Sequence, residues 1–327
     1  MAQEFGPSAS LATLKQRAHA LRCVRQFFLD QGYWEVETPL LSQETCVDAW
    51  LDPFPVLTPQ RRFLQTSPEF AMKRLLAAGA DSIYQITRSF RADESGSRHN
   101  PEFTIIEWYR QEMSYQQQME FTASLVRYVA QGSPRTLPGR IERWSYDEAF
   151  ERAIGQRVLQ LTVTELHALA CDLFGTHERG YLPTGLENDR DGLLNILLAT
   201  FVEPLLEEQQ ACFLYDFPAS QAALAQVRDG IPPAAERFEL YLGGLEICNG
   251  YQELTDAAEL RRRINVQNSL RRAAGKDELP AESQLLRAMD AGFPSCSGVA
   301  LGFDRLLMWL LDLPTIAEVQ VFPWPRD

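Results

Sequence analysis

Residues 84–110, which read YQITRSFRADESGSRHNPEFTIIEWYR, decide the fold of this chain. Aromatic, β-branched and polar residues alternate over positions 82–91 and again over positions 103–110, a pattern typical of β-strands. The residues between these two segments are mostly polar or charged. The stretch therefore predicts a β-hairpin whose loop carries charge.

The second strand of this hairpin would place Phe103, Ile105, Glu107 and Tyr109 on one face, because side chains alternate along a strand. A carboxylate and a phenol that project together can hold a cation. Arg91 stands where the first strand meets the loop, and its planar fork of donors suits a phosphate or a carboxylate. A surface hairpin with solvated charges is the alternative, but the density of polar residues in the loop favours a binding site.

Length and composition indicate an ordinary globular protein. The chain has 327 residues, 45% of them hydrophobic, so it can bury a sizeable core in one large domain or two small ones. No leader-like segment opens the sequence, and the longest apolar stretch, residues 306–311, is too short to span a bilayer. Six scattered cysteines without a CxxC pair predict reduced thiols. We therefore expect a cytoplasmic protein with no membrane contact.

The formal net charge of -13 disfavours tight nonspecific binding to a phosphate backbone, because that affinity comes mainly from Lys and Arg. A local basic patch is still compatible with this charge. Asp256 and Glu259 predict a capping box for a helix that is rich in arginine. Its arginines could form such a patch or a solvated helical face: Arg261, Arg262, Arg263, Arg271 and Arg272.

The first forty residues predict a helix followed by a strand. Apolar residues recur at helical spacing over residues 11–30, and Gly32 follows the end. Residues 1–10 are expected to form a flexible terminus. Residues 32–41 predict an edge strand that ends at Pro39, because proline cannot donate to a sheet ladder.

Ser67, Pro68 and Glu69 precede a helical run over residues 71–78. Ser67 fits the N-cap, Pro68 the first helical position and Glu69 the first turn. Helix capping alone would explain all three residues.

The middle of the chain carries no chemical motif. Helices are predicted over residues 115–130, 164–174 and 192–207, and a strand over residues 212–217. His167 and His177 have no partner at ligand spacing and are expected to be structural or exposed. Residues 133–236 are therefore expected to form a mainly helical intervening region.

Residues 238–251 predict another strand pair, with Asn249-Gly250 as its turn. Glu246 and Glu253 lie seven residues apart, so one regular strand would place them on opposite faces. A break at the turn could bring the two carboxylates together. Solvent exposure of both is the alternative.

Near the end of the chain, residues 297–306 (SGVALGFDRL) predict a strand that leads into an apolar helix. Gly302 allows close backbone approach, and Arg305 at the helix start can reach a phosphate.

Three of these stretches, in this order, resemble the signature motifs of the class II aminoacyl-tRNA synthetases, in the form found in the lysyl-tRNA synthetase subgroup. Motif 1 resembles the helix and strand that end at Pro39, which form the dimer interface in that family. Motif 2 is similar to Phe90-Arg91-x-Asp93 with Arg98-His99-Asn100-Pro101-Glu102-Phe103-Thr104, and motif 3 to Gly302-Phe303-Asp304-Arg305. The resemblance covers nearly the whole chain.

The resemblance implies an α+β fold, the class II aminoacyl-tRNA synthetase catalytic core, with an antiparallel sheet flanked by helices. Residues 11–327 would form this catalytic domain, as a homodimer. Lysyl-tRNA synthetases carry an N-terminal OB-fold that reads the anticodon, whereas motif 1 here begins at about Gly32. We therefore expect no OB-fold anticodon domain and no anticodon-reading contact with tRNA.

The resemblance also implies ATP and Mg²⁺ as cofactors, and attack of an amino-acid carboxylate on the α-phosphate of ATP to give an aminoacyl adenylate. A core without the OB-fold is similar to the stand-alone paralogues in this family. These attach lysine, preferentially (R)-β-lysine, to the ε-amine of a lysine on translation elongation factor P. A truncated enzyme that charges tRNA and a non-catalytic paralogue that senses amino acid are the alternatives.

The resemblance assigns roles to matching residues. ATP would be bound by Arg91, Ala92, Asp93, Glu94, Asn100, Glu246, Ile247, Gly302 and Arg305. The amino acid would be bound by Ser67, Pro68, Glu69, Glu107, Tyr109, Glu253 and Ala300. Arg91 and Arg305 would be the catalytic residues, and Glu246 and Glu253 would hold Mg²⁺. The family usually has Glu two residues after the motif 2 arginine, so either Asp93 or Glu94 could reach the adenine.

The predicted pocket suits a molecule with two ammonium groups, because its carboxylates would be costly to bury without cations. Ala300 stands where lysyl-tRNA synthetases generally have glycine. Its methyl group would crowd an α-amino group, so we expect a preference for β-lysine.

Overall fold

The computed structural model describes residues 5–176 and 181–325. His177 and the first four residues of the predicted flexible terminus lie outside the described residues. The chain divides into two compact units. The first unit comprises Met1–Thr136 and Gln252–Asp327, and the second unit comprises Leu137–Tyr251. The second unit contains most of the predicted intervening region, but it extends to residue 251 rather than 236.

The helices and strands of the described residues follow in chain order. The α-helices are α1 (Leu11–Asp30), α2 (Glu69–Ala77), α3 (Tyr115–Val129), α4 (Tyr146–Ile154), α5 (Val163–Thr176), α6 (Arg190–Leu197), α7 (Glu203–Glu208), α8 (Ala257–Ala273), α9 (Gln284–Ala291) and α10 (Phe303–Leu311). The strands are β1 (Trp34–Glu35), β2 (Leu41–Ser42), β3 (Pro55–Val56), β4 (Arg62–Leu64), β5 (Ser82–Phe90), β6 (Glu102–Gln111), β7 (Glu142–Ser145), β8 (Ala211–Pro218), β9 (Val227–Arg228), β10 (Ala234–Leu242), β11 (Leu245–Gln252) and β12 (Cys296–Gly302).

The main sheet of the first unit has the strand order β1-β5-β6-β12. Strands β5 and β6 form the predicted hairpin, in which Ser82 lies opposite Arg110 and Phe90 lies opposite Glu102. Strand β12 is antiparallel to β6. The predicted antiparallel sheet is therefore confirmed for these inner pairs, whereas β1 at the edge is parallel to β5. A small separate sheet has the order β2-β4-β3.

An aromatic core covers one face of this sheet. Phe28 of α1 stacks on Tyr84 at a centroid distance of 4.3 Å and lies 5.5 Å from Trp108. Phe121 of α3 completes the cluster at 6.1 Å from Trp108. Because Trp108 points into this core, its neighbours Glu107 and Tyr109 on β6 must point to the opposite face.

A buried ion pair joins the two ends of the first unit. Arg17 of α1 donates to Asp304 of α10 at 2.5 Å and to the hydroxyl of Thr104 at 2.7 Å. Asp304 also accepts the backbone N–H of Thr104 at 2.8 Å. Asp304 of motif 3 therefore stabilises the fold, and its neighbour Arg305 is the residue left for the site.

The predicted flexible terminus is partly anchored. Ser8 and Ala9 donate backbone hydrogen bonds to Val321 and Gln320, and Ala9 is buried. These two residues therefore belong to the folded unit.

The second unit contains a sheet with the strand order β11-β10-β8-β7, and β9 pairs with β10. The predicted turn at Asn249-Gly250 is wrong, because both residues lie within β11. The turn lies at Gly243-Gly244, where φ values of 54° and 73° require the left-handed region that glycine tolerates. Gly250 instead makes room for Phe238, whose ring would lie 2.4 Å from an added Cβ.

Helices α4 to α7 pack around the apolar residues of β8 and β10 in the second unit. The predicted helix over residues 192–207 is present, but one π-helical turn, Leu198–Val202, separates α6 from α7. The intervening region is therefore helical between β7 and β8, as predicted, and becomes a sheet after residue 211.

Asp256 is the N-cap of the arginine-rich helix α8, and its carboxylate accepts the N–H groups of Ala258 and Glu259. This is one half of the predicted capping box, because the Glu259 carboxylate instead accepts from Arg262 and Arg263. Each predicted patch arginine is paired with an acidic residue: Arg261 with Asp290, Arg262 and Arg263 with Glu259, Arg271 with Asp52, and Arg272 with Glu278. The arginines thus form ion pairs on and around the helix rather than a patch of unpaired cations.

All six cysteines are free thiols in this structure. Within residues 5–176 and 181–325, none of the helices has the length and apolar character needed to cross a bilayer.

Candidate active site

The inner face of β6, away from the aromatic core, carries a buried carboxylate. Glu107 is completely buried. Ser67 donates its hydroxyl to Glu107 Oε1 at 2.6 Å, and Tyr109 donates to Glu107 Oε2 at 2.9 Å. The prediction that Glu107 and Tyr109 project together is confirmed.

Ser67 holds this carboxylate instead of capping a helix. The N-cap of α2 is Pro68, so the predicted N-cap at Ser67 is wrong. The Ser67 hydroxyl accepts the N–H of Glu69 at 3.0 Å and donates to Glu107. The Ser-Pro-Glu stretch therefore links the start of α2 to strand β6.

Lys73, which the sequence analysis missed, joins two further predicted site residues. It lies one turn after Glu69 on α2 and is 2% exposed. Its Nζ lies 2.5 Å from Glu69 Oε1 and 2.5 Å from Glu253 Oε2. The available signal was a Glu and a Lys four residues apart, which face the same side of a helix.

Burial dominates the ionisation of this cluster. Burial raises the pKa of Glu107 to about 7, and the nearby Glu69 carboxylate adds to the rise. Burial also raises the pKa of Glu253, against the opposing effect of Lys73. For Lys73 burial acts to lower the pKa, but the carboxylates of Glu253 and Glu69 outweigh it and raise the pKa. Lys73 thus contacts two of the three carboxylates, whereas Glu107 is bonded by neutral hydroxyls. A buried cluster of this kind favours a cationic ligand.

Strand β12 brings two small residues to the same face. Gly298 lies opposite Tyr109, and Ala300 lies opposite Glu107. An added Cβ at Gly298 would lie 2.3 Å from the Tyr109 ring and 2.5 Å from Glu253 Oε1. Glycine is therefore required where these side chains converge. The methyl group of Ala300 faces the Glu107 side of the sheet.

Arg91 begins the hairpin loop. Its guanidinium carbon lies 5.0 Å from the centre of the Phe103 ring, and its Nη1 lies 3.6 Å from Glu94 Oε1. Asp93 between them is exposed and has a φ of 65°. Ala92 donates its N–H to a backbone oxygen of residue 52 at 2.8 Å, which fixes the loop start.

The other end of the loop approaches motif 3. Arg305 Nη2 lies 2.5 Å from His99 Nε2, and Arg305 Nε donates to the carbonyl of Arg98 at 3.4 Å. Arg91 and Arg305 thus border opposite ends of the hairpin loop. Asn100 is buried and uses its amide within the fold, donating to the Glu102 carbonyl at 2.7 Å.

A second buried carboxylate cluster lies in the second unit, around Glu239. Tyr241 donates to Glu239 Oε2 at 2.7 Å, and Arg237 donates to Oε1 at 2.5 Å. Asn249 donates to Oε1 at 3.2 Å and accepts from Arg237 Nε at 3.2 Å. Glu239 was not predicted as a site residue, although Arg237 and Tyr241 lie two residues before and after it on β10. Asn249 is the partner that comes from β11, where it lies opposite Glu239.

Glu239 is the acidic neighbour of the predicted metal ligand Glu246. Burial raises the pKa of Glu239, Arg237 opposes this rise, and the Glu246 carboxylate raises the pKa further. Both oxygens of Glu239 already accept hydrogen bonds, from Arg237 and Asn249 at Oε1 and from Tyr241 at Oε2. Glu253, the other predicted metal ligand, is instead bonded to Lys73 in the first unit.

The part of the chain that the structure describes contains no cluster of three or more His, Cys, Asp or Glu side chains arranged to hold a metal. A cation at Glu246 would therefore need further oxygen ligands from a bound molecule, as Mg²⁺ commonly takes them from phosphates.

Comparisons with known proteins agree with this geometry. The sequence model of a family described as tRNA synthetases class II (D, K and N) matches residues 7–326. A protein of Pseudoalteromonas translucida named "Elongation factor P--(R)-beta-lysine ligase" is 42% identical over 98% of this chain and 98% of its own length. Proteins of the same name from Edwardsiella ictaluri and Vibrio cholerae are 43% and 41% identical, over 97% and 98% of their lengths.

Proposed function

Because this chain belongs to the class II tRNA synthetase (D, K and N) family, we propose that it is an ATP-dependent ligase for a lysine isomer. It would activate (R)-β-lysine as an adenylate and transfer it to the ε-amine of a lysine on translation elongation factor P. The observation that carries the proposal is the likeness, along almost the full length of both chains, to relatives named for that activity. The carboxylate cluster of the first unit supports the substrate class.

The amino acid would lie against the inner face of β6. Glu69, Glu107 and Glu253 would hold its two ammonium groups, because charge-assisted hydrogen bonds are the strongest that buried carboxylates can form. Tyr109 would help to shape the pocket. Ser67 and Pro68 would place α2, while Gly298 and Ala300 would form the floor.

ATP would bind along the hairpin loop. Arg91 and Arg305, which border the loop from both sides, would contact the phosphates and neutralise developing charge. Other proposed contacts are Ala92, Asp93, Glu94, Asn100, Glu246, Ile247 and Gly302. Mg²⁺ would neutralise charge on the phosphates, with Glu246 and Glu253 as its proposed ligands.

The reaction has two steps. A carboxylate oxygen of the amino acid attacks the α-phosphorus of ATP, and the bond to the β-phosphate breaks, so that pyrophosphate leaves. The deprotonated ε-amine of the acceptor lysine then attacks the carbonyl carbon of the adenylate, AMP leaves, and an amide forms. The side chains of the site bind and orient the reactants, which lowers the entropic part of the barrier.

A homodimer through motif 1 is also proposed. Trp34, Leu40 and Leu41 of this segment are 40% to 50% exposed, and apolar residues clustered on a surface favour a protein contact. Light scattering behind size-exclusion chromatography would report the mass in solution, and a monomer would contradict the dimer.

The function is tested by incubating the protein with ATP, Mg²⁺ and (R)-β-lysine, adding elongation factor P to one sample and total tRNA to another. Intact mass spectrometry should show a gain of one lysyl unit on the factor and uncharged tRNA. Charged tRNA with an unmodified factor would instead identify a minimal tRNA synthetase. Absence of adenylate would favour an amino-acid sensor.

A further inference from the structure

Lys73 is an almost completely buried lysine at the centre of the carboxylate cluster of the first unit. Its neighbours on α2, Met72 and Leu76, pack in the apolar core. A leucine or methionine at this position would fill the space without the free-energy cost of burying a charge. The ammonium group must therefore serve through its charge and its donors.

Lys73 fixes the orientation of two carboxylates. Its Nζ lies 2.5 Å from Glu69 Oε1 and 2.5 Å from Glu253 Oε2. The remaining oxygens point elsewhere. Glu253 Oε1 lies against Gly298, and Glu69 Oε2 lies 3.9 Å from Cys46 Sγ. Because Lys73 holds the first oxygen of each group, the second oxygen is held in a defined direction.

Lys73 also sets the charge of the cluster. Glu69, Glu107 and Glu253 carry three negative charges when ionised, and Lys73 neutralises one. Arg91 at the edge of the cluster is already paired with Glu94. Full ionisation of the three carboxylates would leave two negative charges, which the two ammonium groups of a lysine isomer can match. Without such a ligand, burial raises the pKa values of Glu107 and Glu253.

We propose that Lys73 is a positioning residue that sets both the orientation and the net charge of the pocket for a substrate with two ammonium groups. This inference rests on the proposed function, because it takes the carboxylate cluster as the site of the lysine isomer. Lys73 acts through Glu69 and Glu253, and not on the phosphate that reacts.

The test compares the parent protein with Lys73→Met and Lys73→Arg in ATP–pyrophosphate exchange with (R)-β-lysine, which reports adenylate formation alone. Lys73→Met should raise the KM for the amino acid at least about 30-fold, because it removes one partner of a buried charge pair. The KM for ATP should change less than about twofold, because the proposed phosphate contacts are unaltered. Lys73→Arg keeps the charge and should recover a substantial part of the loss. Arg140→Met, at a charged side chain that is 87% exposed, is the control and should behave like the parent.

Two further measurements distinguish a Lys73 variant that does not fold from a folded variant that binds the amino acid weakly. Thermal unfolding identifies variants that are folded at the assay temperature, and Lys73→Gln replaces Lys73→Met if the latter is not. Calorimetric titration of the folded variant with (R)-β-lysine, without nucleotide, should show the same weakening as the KM. A parent-like amino-acid KM in a folded variant, or an equal loss for both substrates, would overturn the role of Lys73.

Failure of the proposed function would be visible in the parent protein itself. A parent that catalyses no exchange with any lysine isomer and does not modify elongation factor P would refute the function, and the Lys73 proposal with it. Normal exchange by the parent, together with unaltered Lys73 variants, would refute the role of Lys73 alone.

Discussion

The same short pattern, a glutamate followed two residues later by a tyrosine, lies on a strand of each unit. On β6 the Tyr109 hydroxyl donates to Glu107 at 2.9 Å, and on β10 the Tyr241 hydroxyl donates to Glu239 at 2.7 Å. Both glutamates are buried. The local geometry is therefore shared, and the difference between the two sites lies in what binds the other carboxylate oxygen.

That oxygen receives a neutral hydroxyl from Ser67 in one unit and a guanidinium from Arg237 in the other. Among the described residues, Glu107 therefore has no cation as a hydrogen-bond partner, and burial raises the pKa of its carboxyl to about 7. Glu239 has a cation in contact but also faces a second carboxylate, Glu246. The comparison teaches that one residue pattern can bury a carboxylate with neutral partners in one setting and with a contacting guanidinium in another.

The largest effect is expected for Glu239→Gln, which leaves Arg237 buried without its carboxylate. Breaking a buried pair in this way should lower the free energy of unfolding by about 3 kcal/mol or more, measured by urea denaturation. Glu151→Gln, which removes an exposed partner of Arg157 in the same unit, is the control and should cost less than about 1 kcal/mol. Equal losses for both variants would show that the Glu239 cluster does not depend on its ion pair.

Glu107→Gln removes the charge of the buried carboxylate in the first unit. The amide can still accept hydrogen bonds from Ser67 and Tyr109, but it carries no charge for an ammonium group. We expect kcat/KM for (R)-β-lysine in pyrophosphate exchange to fall about 100-fold, since hydrogen bonds to charged groups are the strong ones. Glu120→Gln, at an exposed position of α3, is the control. A loss of less than about threefold would remove Glu107 from the substrate site.

The same variant has a distinctive pH dependence of stability. The pKa of Glu107 is raised from 4.5 to about 7 in the folded protein. A raised carboxyl pKa contributes stability that is present below pH 4.5 and is lost as the pH rises through 7. Glu107→Gln should therefore gain stability relative to the parent between pH 5 and pH 8, by at most about 3 kcal/mol. Urea denaturation of both proteins at pH 5 and pH 8 measures the difference in their free energies of unfolding. A variant that loses stability relative to the parent between these pH values would contradict the argument from burial.

Gly298→Ala should have a smaller effect at the point where Tyr109 and Glu253 converge. The added methyl group would lie within 2.5 Å of both side chains, which must then move. Overpacking of this kind costs about 1–3 kcal/mol. We expect a lower kcat/KM for the amino acid and a lower free energy of unfolding in urea denaturation. Gly139→Ala, where an added Cβ meets open space, is the control. Parent-like kinetics for Gly298→Ala would mean that the floor of the pocket is elsewhere.

The smallest effect is expected for Ala300→Gly, which removes a methyl group opposite Glu107. Activity on α-lysine relative to (R)-β-lysine should rise about tenfold, because one methyl group in a pocket contributes about 1–3 kcal/mol to discrimination. The ratio of kcat/KM for the two isomers in pyrophosphate exchange measures the change. An unaltered ratio would show that Ala300 does not determine the preference between the two isomers.

Local patterns predicted the elements that carry the site. The hairpin of β5 and β6, the helix α1 and the strand β12 with α10 all follow from periodicity within one segment. The resemblance to class II synthetases, drawn from three short motifs, is confirmed by the family match over residues 7–326. The residue roles within those motifs stay predictions.

What the sequence could not predict depends on contacts between distant segments. Lys73 meets Glu253 across about 180 residues of chain, and no spacing rule reports such a pair. The turn in the second unit was misplaced because the local Asn249-Gly250 signal competes with Gly243-Gly244. The ring of Phe238, which fills the space above Gly250, decided the outcome.

The discontinuity of the first unit has a consequence for synthesis of the protein. Strand β6 pairs on one side with β5, which precedes it directly, and on the other with β12. β12 is translated about 190 residues later, which takes roughly 10 to 40 s at ribosomal speed. During that interval the nascent β6 has an open edge, and such edges can pair with other chains. The second unit, which is continuous in sequence, can fold while the first unit waits for its last strand.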